Sequence, residues 1–172
     1  MKNAVSFLAL ALAFTALTAF TFSGGNENIG SKSCKACHSN AKMGGTAYKT
    51  WEGSGHAKAL ATLQTADADK IAKDKGFKTK AAETKECLAC HVTSAKDVGV
   101  GCESCHGAGS AYKSKHGKGK AVADAIAAGM ILPKVDGGSA EKLCKTCHND
   151  KSPTHKDFKF KEMWTKIAHG KG

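Results

Sequence analysis

Cysteine and histidine are the residues whose spacing could do chemistry. All eight cysteines fall into four C-x-x-C pairs, and each pair is followed at once by histidine. The four sets are Cys34/Cys37/His38, Cys87/Cys90/His91, Cys102/Cys105/His106 and Cys144/Cys147/His148. Two cysteines three apart share one side of a helical turn, where their thiols can add to the two vinyl groups of one haem. The adjoining histidine then lies under the ring as proximal iron ligand. Paired C-x-x-C knuckles also hold zinc, and disulfides are natural in an exported chain. Neither of those readings explains a histidine after every pair. Four covalently attached c-type haems are therefore the expectation, with zinc or disulfides as the alternatives.

Four more histidines lie outside the motifs: His56, His116, His155 and His169. Their number equals that of the motif histidines, which raises the question of whether each closes the second axial position of an iron. On residue type alone, each could equally be a surface histidine in a lysine-rich loop.

Short helices are expected to carry these groups. The Ala- and Lys-rich stretch 56–75 reads as one or two helices stopped by Gly76. A second helix is expected over 120–128, ended by Gly129 with Pro133 beyond. A third leads into the last motif with Ser139 as candidate N-cap. A fourth covers 160–168, where Phe160, Met163, Trp164 and Ile167 share one face. No run of alternating β-branched residues argues for a sheet. Stretches 99–109 and 116–119 read as glycine-rich loops, placed where backbone passes close to flat rings. The fold class is mainly α and irregular, a multihaem arrangement in which the haems form most of the core, because apolar side chains are scarce and scattered.

The N-terminus sets the compartment. Lys2 precedes an apolar run from Ala4 to Phe22, and polar sequence opens at Ser23. Residues 1–23 read as a secretory signal peptide, or as an uncleaved anchor, since the run is about long enough to span a bilayer. Residues 24–172 form one domain, periplasmic in either case. All 26 basic residues are lysine, against 15 acids, for a formal net charge of +11. Such a surface steers acidic redox partners into short-lived complexes. Nucleic acid is disfavoured as a partner by export and by the absence of arginine forks for phosphate. Membrane contact is expected only if the N-terminal segment is retained.

"SKSCKACH", "WEGSGHAKAL", "CLACH", "GVGCESCHGAGSAYKSKH", "CKTCH" and "FKFKEM" occur in that order. The series resembles the cytochrome c-554 family of tetrahaem carriers. The resemblance implies that His116 ligates the haem of His38, His56 that of His106, and His169 that of His148. His169 can serve only if the last helix ends near Ala168, which Gly170 permits. In the family's nitrification carrier the second haem is five-coordinate, and the region after the fourth motif covers its vacant side without a ligand. Here that region, "NDKSPTHKDFKF", contains His155, the candidate ligand for the haem of His91.

The reading that follows is an electron carrier and not an enzyme. Two histidines per iron block substrate and leave outer-sphere electron transfer. The alternatives are a haem enzyme acting on nitric oxide, nitrite or hydroxylamine at one open iron, a membrane-anchored quinol dehydrogenase, or a subunit of a larger redox assembly.

Overall fold

The computed structural model describes residues 25–43, 45–117 and 119–169. The expected signal or anchor segment lies outside the described residues. No helix among the described residues is long and apolar enough to cross a membrane. They form helices, turns and irregular connections, with no strand among them.

Among the described residues ten α-helices follow one another: α1 (Lys32–His38), α2 (Ala47–Glu52), α3 (Ala59–Leu63), α4 (Ala66–Asp74), α5 (Lys85–His91), α6 (Glu103–His106), α7 (Gly109–Tyr112), α8 (Val122–Ala127), α9 (Ser139–Cys144) and α10 (Phe160–Ile167). The longest, α4, has nine residues. Helices this short do not stand alone in water, so each depends on what it is tied to.

α4 shows how local signals set the boundaries. The Thr65 hydroxyl accepts from the Ala68 N–H at 3.2 Å, and Asp67 and Asp69 sit in the first turn. Both features complement the positive end of the helix. At the other end Gly76 takes φ +84°, and the Phe77 N–H reaches back to the Ala72 carbonyl at 3.0 Å. That left-handed step suits glycine, and it ends the 56–75 stretch where the sequence places the stop. Within the stretch, a 3-10 turn over His56–Lys58 precedes α3.

The side-chain core is small. Leu63, Ala72 and Ala81 are buried together, with Ala68, Phe77, Ala82, Cys87 and Leu88 packed on them. Tyr48 and Trp51 pack 5.1 Å apart, and the Trp51 indole donates to the Val100 carbonyl at 2.8 Å.

Three details differ from the sequence reading. Ser139 is the first residue of α9 and not its N-cap; its hydroxyl accepts from the Lys134 N–H at 2.9 Å, and Gly138, in the left-handed region, precedes the helix. The stretch 99–109 is not all loop, because α6 and the start of α7 lie inside it. The close approach at Gly99 is to backbone: a Cβ there would lie 2.3 Å from the His56 carbonyl oxygen.

Candidate functional site

The motif histidines are delivered by helix ends. His38 and His91 close α1 and α5, and His106 closes α6, with Cys102 just before it. α9 ends at Cys144, and the next turn carries Cys147 and His148; the His148 N–H still bonds the Cys144 carbonyl at 2.9 Å. In each motif the two cysteines and the histidine therefore occupy adjacent turns, as attachment to one ring requires. None of the eight cysteines is in a disulfide. Among the described residues, no three His, Cys, Asp or Glu side chains converge as a metal cage.

Cys37 differs from the other motif cysteines in its exposure. It is exposed to solvent, whereas the other seven are half-buried. The reason lies in α1, which buries none of its residues. Cys34, one turn earlier, is the cysteine that packs against the third motif, through Cys102. Cys37 lies beyond that contact, so the polypeptide alone leaves its thiol uncovered.

Three motif histidines each face a histidine from elsewhere in the chain. The rings of His38 and His116 lie 6.1 Å apart between centres, tilted by 24°. His56 and His148 are 6.0 Å apart, and so are His106 and His169. Metal–imidazole bonds are about 2 Å long. Two rings that share one ion axially thus have centres about 6 Å apart, and the donor set fits haem iron held by histidine on both faces.

The ring nitrogens are sorted for this role. Nδ1 of His91 bonds the Ala59 carbonyl at 2.9 Å, and Nδ1 of His106 bonds that of Ile131 at 2.9 Å. His116 uses the carbonyl of Tyr112 at 3.2 Å, and His169 that of Ile167 at 2.8 Å. A carbonyl fixes the proton on Nδ1 and leaves the Nε2 lone pair for a metal. Burial lowers the basicity of His56, and the charge of His148 adds to this. His106 is lowered by burial, and His148 by burial and then by His155 and His91. These shifts favour the neutral imidazole, the form that ligates.

The pairing differs from the expected one at two places. His116 faces His38 as expected. His56 faces His148 and not His106, and His169 faces His106 and not His148. The His56 carbonyl accepts the Val100 N–H at 2.9 Å. This anchors the His56 backbone just ahead of the third motif, while its ring reaches the fourth. α10 ends at Ile167, and Ala168 leaves helical geometry with ψ 134°. That release carries His169 to His106, so the condition on its helix is met with another partner.

His155 is exposed, in a turn whose N–H bonds the Ser152 carbonyl at 3.1 Å. It and His91 both act electrostatically on His148. Among the described residues, no histidine ring faces His91 at the spacing of the other three pairs. Phe158 stacks on the His148 ring at 4.6 Å, nearly parallel.

Cysteines of different motifs touch. The Cys34 thiol bonds to Cys102; this bond raises Cys34 well above the usual thiol range and brings Cys102 down to about 7. Cys90 contacts Cys147, and Cys105 is pushed up to about 11 by burial and then by Cys144. Spatial neighbours are therefore motifs one and three, three and four, and four and two.

Two buried carboxylates escaped the sequence reading. Glu103 is 5% exposed and Asp97 8%. Glu103 Oε1 accepts from the N–H groups of Ile29 at 2.9 Å and Gly109 at 2.6 Å, and Oε2 from Gly30 at 2.8 Å. Asp97 accepts from the Ser31 N–H at 2.9 Å, and the Ser31 hydroxyl accepts from the Cys102 N–H at 3.0 Å. One signal was visible: Glu103 is the one acid between the cysteines of any motif, the others holding Lys-Ala, Leu-Ala and Lys-Thr.

Comparison with known proteins bears on the family. The family described as "Cytochrome c554 and c-prime" matches residues 33–107, which contain the first three motifs. Cytochrome c-554 of Nitrosomonas europaea is 31% identical over 142 residues, covering 69% of this chain and 56% of that protein. The chain thus spans little more than half the length of this relative. No solved structure matches.

Proposed function

Because the chain belongs to the cytochrome c-554 family, we propose that it is an exported tetrahaem cytochrome that passes electrons between redox proteins. The observation that carries this reading is the set of three histidine pairs with centres 6.0–6.1 Å apart, each joining one motif histidine to one outside the motifs. When bound, each haem supplies a one-electron ferric/ferrous couple.

Everything else is the work of the polypeptide. The eight cysteines would hold each ring by two thioethers, which would set its position covalently. At the first motif the ring would also cover the thiol that Cys37 now presents to solvent. His38/His116, His56/His148 and His106/His169 would hold three of the irons between pairs of imidazoles and so keep small substrates off them. The carbonyls of Tyr112 and Ile131 orient two of these rings, and that of Ala59 orients His91. His155 is the candidate partner of His91, because both lie close enough to His148 to lower its basicity. The contacts Cys34–Cys102 and Cys90–Cys147, with Cys144 near enough to act electrostatically on Cys105, give an order of neighbours one, three, four, two, which would be the order of transfer. The porphyrins would complete a core that side chains alone leave small. Residues 1–23 would direct export to the periplasm.

The exposed position of His155 favours a second reading, in which the iron of His91 keeps one position open to nitric oxide or a similar small ligand. Mass spectrometry and electron paramagnetic resonance of the oxidised protein test both. Four haems and low-spin irons throughout support the carrier. Fewer than four haems overturns the tetrahaem reading, and one high-spin iron in the wild type favours the second.

A further inference from the structure

Among the described residues the buried charged side chains are Glu103 and Asp97, and both stand at the junction of the first and third motifs. Glu103 follows Cys102 directly. Its two oxygens take three backbone N–H donors. Asp97 holds the N–H of Ser31, three residues before Cys34, and its Oδ2 accepts from the Ser94 hydroxyl at 3.3 Å. Close packing seals the site. A Cβ on Gly101 would lie 2.7 Å from the Asp97 carboxyl carbon, and one on Gly109 would lie 2.9 Å from Glu103 Oε1. Neither carboxylate has a salt-bridge partner among the described residues. Lys113 is the cation that reaches Cys34, and it is exposed to solvent.

The charges reach the positions where haem would be attached. Glu103 acts on Cys34, and Asp97 acts on Cys102. At the other two motifs the acids that act on the cysteines, Glu86 on Cys87 and Glu141 on Cys144, are not buried. Glu86, in α5, is exposed, and Glu141, in α9, is paired with Lys145 in solvent.

We propose that Glu103 and Asp97 are built-in anions that hold the haems of His38 and His106 at lower reduction potential than they would otherwise have. Reduction of either haem takes one electron from a protein donor and removes one positive charge from the ring and iron. A fixed anion in a low-dielectric site stabilises the oxidised form over the reduced one. The same two groups position the first motif relative to the third, so geometry and potential are set together. The effect falls on one pair of haems and gives the carrier an internal gradient, with electrons favoured on the fourth and second motifs.

This inference rests on the carrier reading, and one experiment separates the two. The holoprotein is titrated redox-potentiometrically, with the haems resolved by paramagnetic resonance. Asp97→Asn keeps the acceptor for Ser31 and offers a donor to Ser94, so it removes charge at little structural change. It and Glu103→Gln should each raise the potentials of the haems of His38 and His106 and leave those of His91 and His148 near wild type. The shift should persist at high salt, since buried charges are poorly screened. Ile29→Ala loosens the same cradle without changing charge and should leave all four potentials in place. Should Glu103→Gln fail to fold, Asp97→Asn decides. Unmoved potentials in Asp97→Asn with four haems bound overturn the proposal, as does an equal shift in Ile29→Ala. A wild-type protein lacking haem at the first or third motif would overturn the carrier reading instead.

Discussion

Glu103, 5% exposed, gathers three backbone N–H groups onto its carboxylate. Glu141, beside the fourth motif, is 40% exposed in its side chain and meets one lysine. The contrast holds for the regions around them. From residue 27 to 116 the chain returns to itself through hydrogen bonds of long sequence separation: Glu27 with Ser110, Ser31 with Asp97 and Cys102, Trp51 with Val100. From 139 to 169 the side-chain bonds are local, spanning five residues or fewer. Ala140 and Phe160 are its buried apolar anchors. The lesson is that polypeptide contacts can organise the first region, whereas the second would depend on the proposed ligation, through His148 to His56 and His169 to His106.

The largest effect is expected where the first region is tied. Glu103→Ala would leave three buried N–H groups without an acceptor, a loss of about 4 kcal/mol by ordinary magnitudes for hydrogen bonds to charge. We expect poor haem incorporation at the first and third motifs and a large drop in yield of the four-haem species, read by mass spectrometry. A normal four-haem yield and unchanged thermal stability would mean that ligation organises the first region as well.

Removing a ligand should discriminate between the regions. His169→Ala and His116→Ala should each convert one low-spin iron to high spin. Only His169→Ala should free residues 156–169 to trypsin, because that tail has Phe160 and one ligand to hold it, and it carries lysines at 156, 159, 161 and 166. Loop 113–116 stays bonded at its base, with the Lys113 N–H on the Gly109 carbonyl at 2.9 Å. Equal protease sensitivity in both variants would erase the distinction.

A smaller effect is expected at His155. It is exposed, so His155→Ala should change stability by about 0.5 kcal/mol or less apart from ligation. Its reading is spectroscopic: one low-spin signal becomes high-spin if it holds the iron of His91. An unchanged spectrum removes His155 from the ligand set.

The two regions also differed in how far the sequence disclosed them. The motifs, the mainly helical class, the stop at Gly76 and the pairing of His116 with His38 were legible, because each depends on spacing or on a local backbone signal. His116 lies ten residues after His106, and its partner is fixed by the same tied region. The partners of His56 and His169 were not legible. They depend on the Val100–His56 bond and on the release of α10 at Ala168, which are tertiary facts. The exposure of Cys37 was equally hidden, because spacing treats the two cysteines of a motif alike and only packing against Cys102 tells them apart. Asp97 looked like any other of the fifteen acids and only burial distinguishes it, whereas Glu103 carried one visible signal, its place between the two cysteines of a motif.

The smallest effect tests the claim that the second region's own contacts are weak. Lys145 Nζ lies 2.6 Å from Glu141 Oε1, a good distance, and the i,i+4 order with the acid first is the favourable one. Yet the two side chains are 55% and 40% exposed, so water and salt screen the attraction, and two flexible side chains must be held in place to keep it. Glu141→Gln should therefore cost about 0.3 kcal/mol. In a chain of this size that is a midpoint change of roughly 1 °C, vanishing in high salt. The variant should also retain all four haems and the low-spin signals of the His56/His148 and His106/His169 pairs. A loss several-fold larger, or one that survives high salt, would show that α9 is held by its own surface pair. In that case ligation would not be what organises residues 139–169, and the comparison of the two regions would fail at its weaker side.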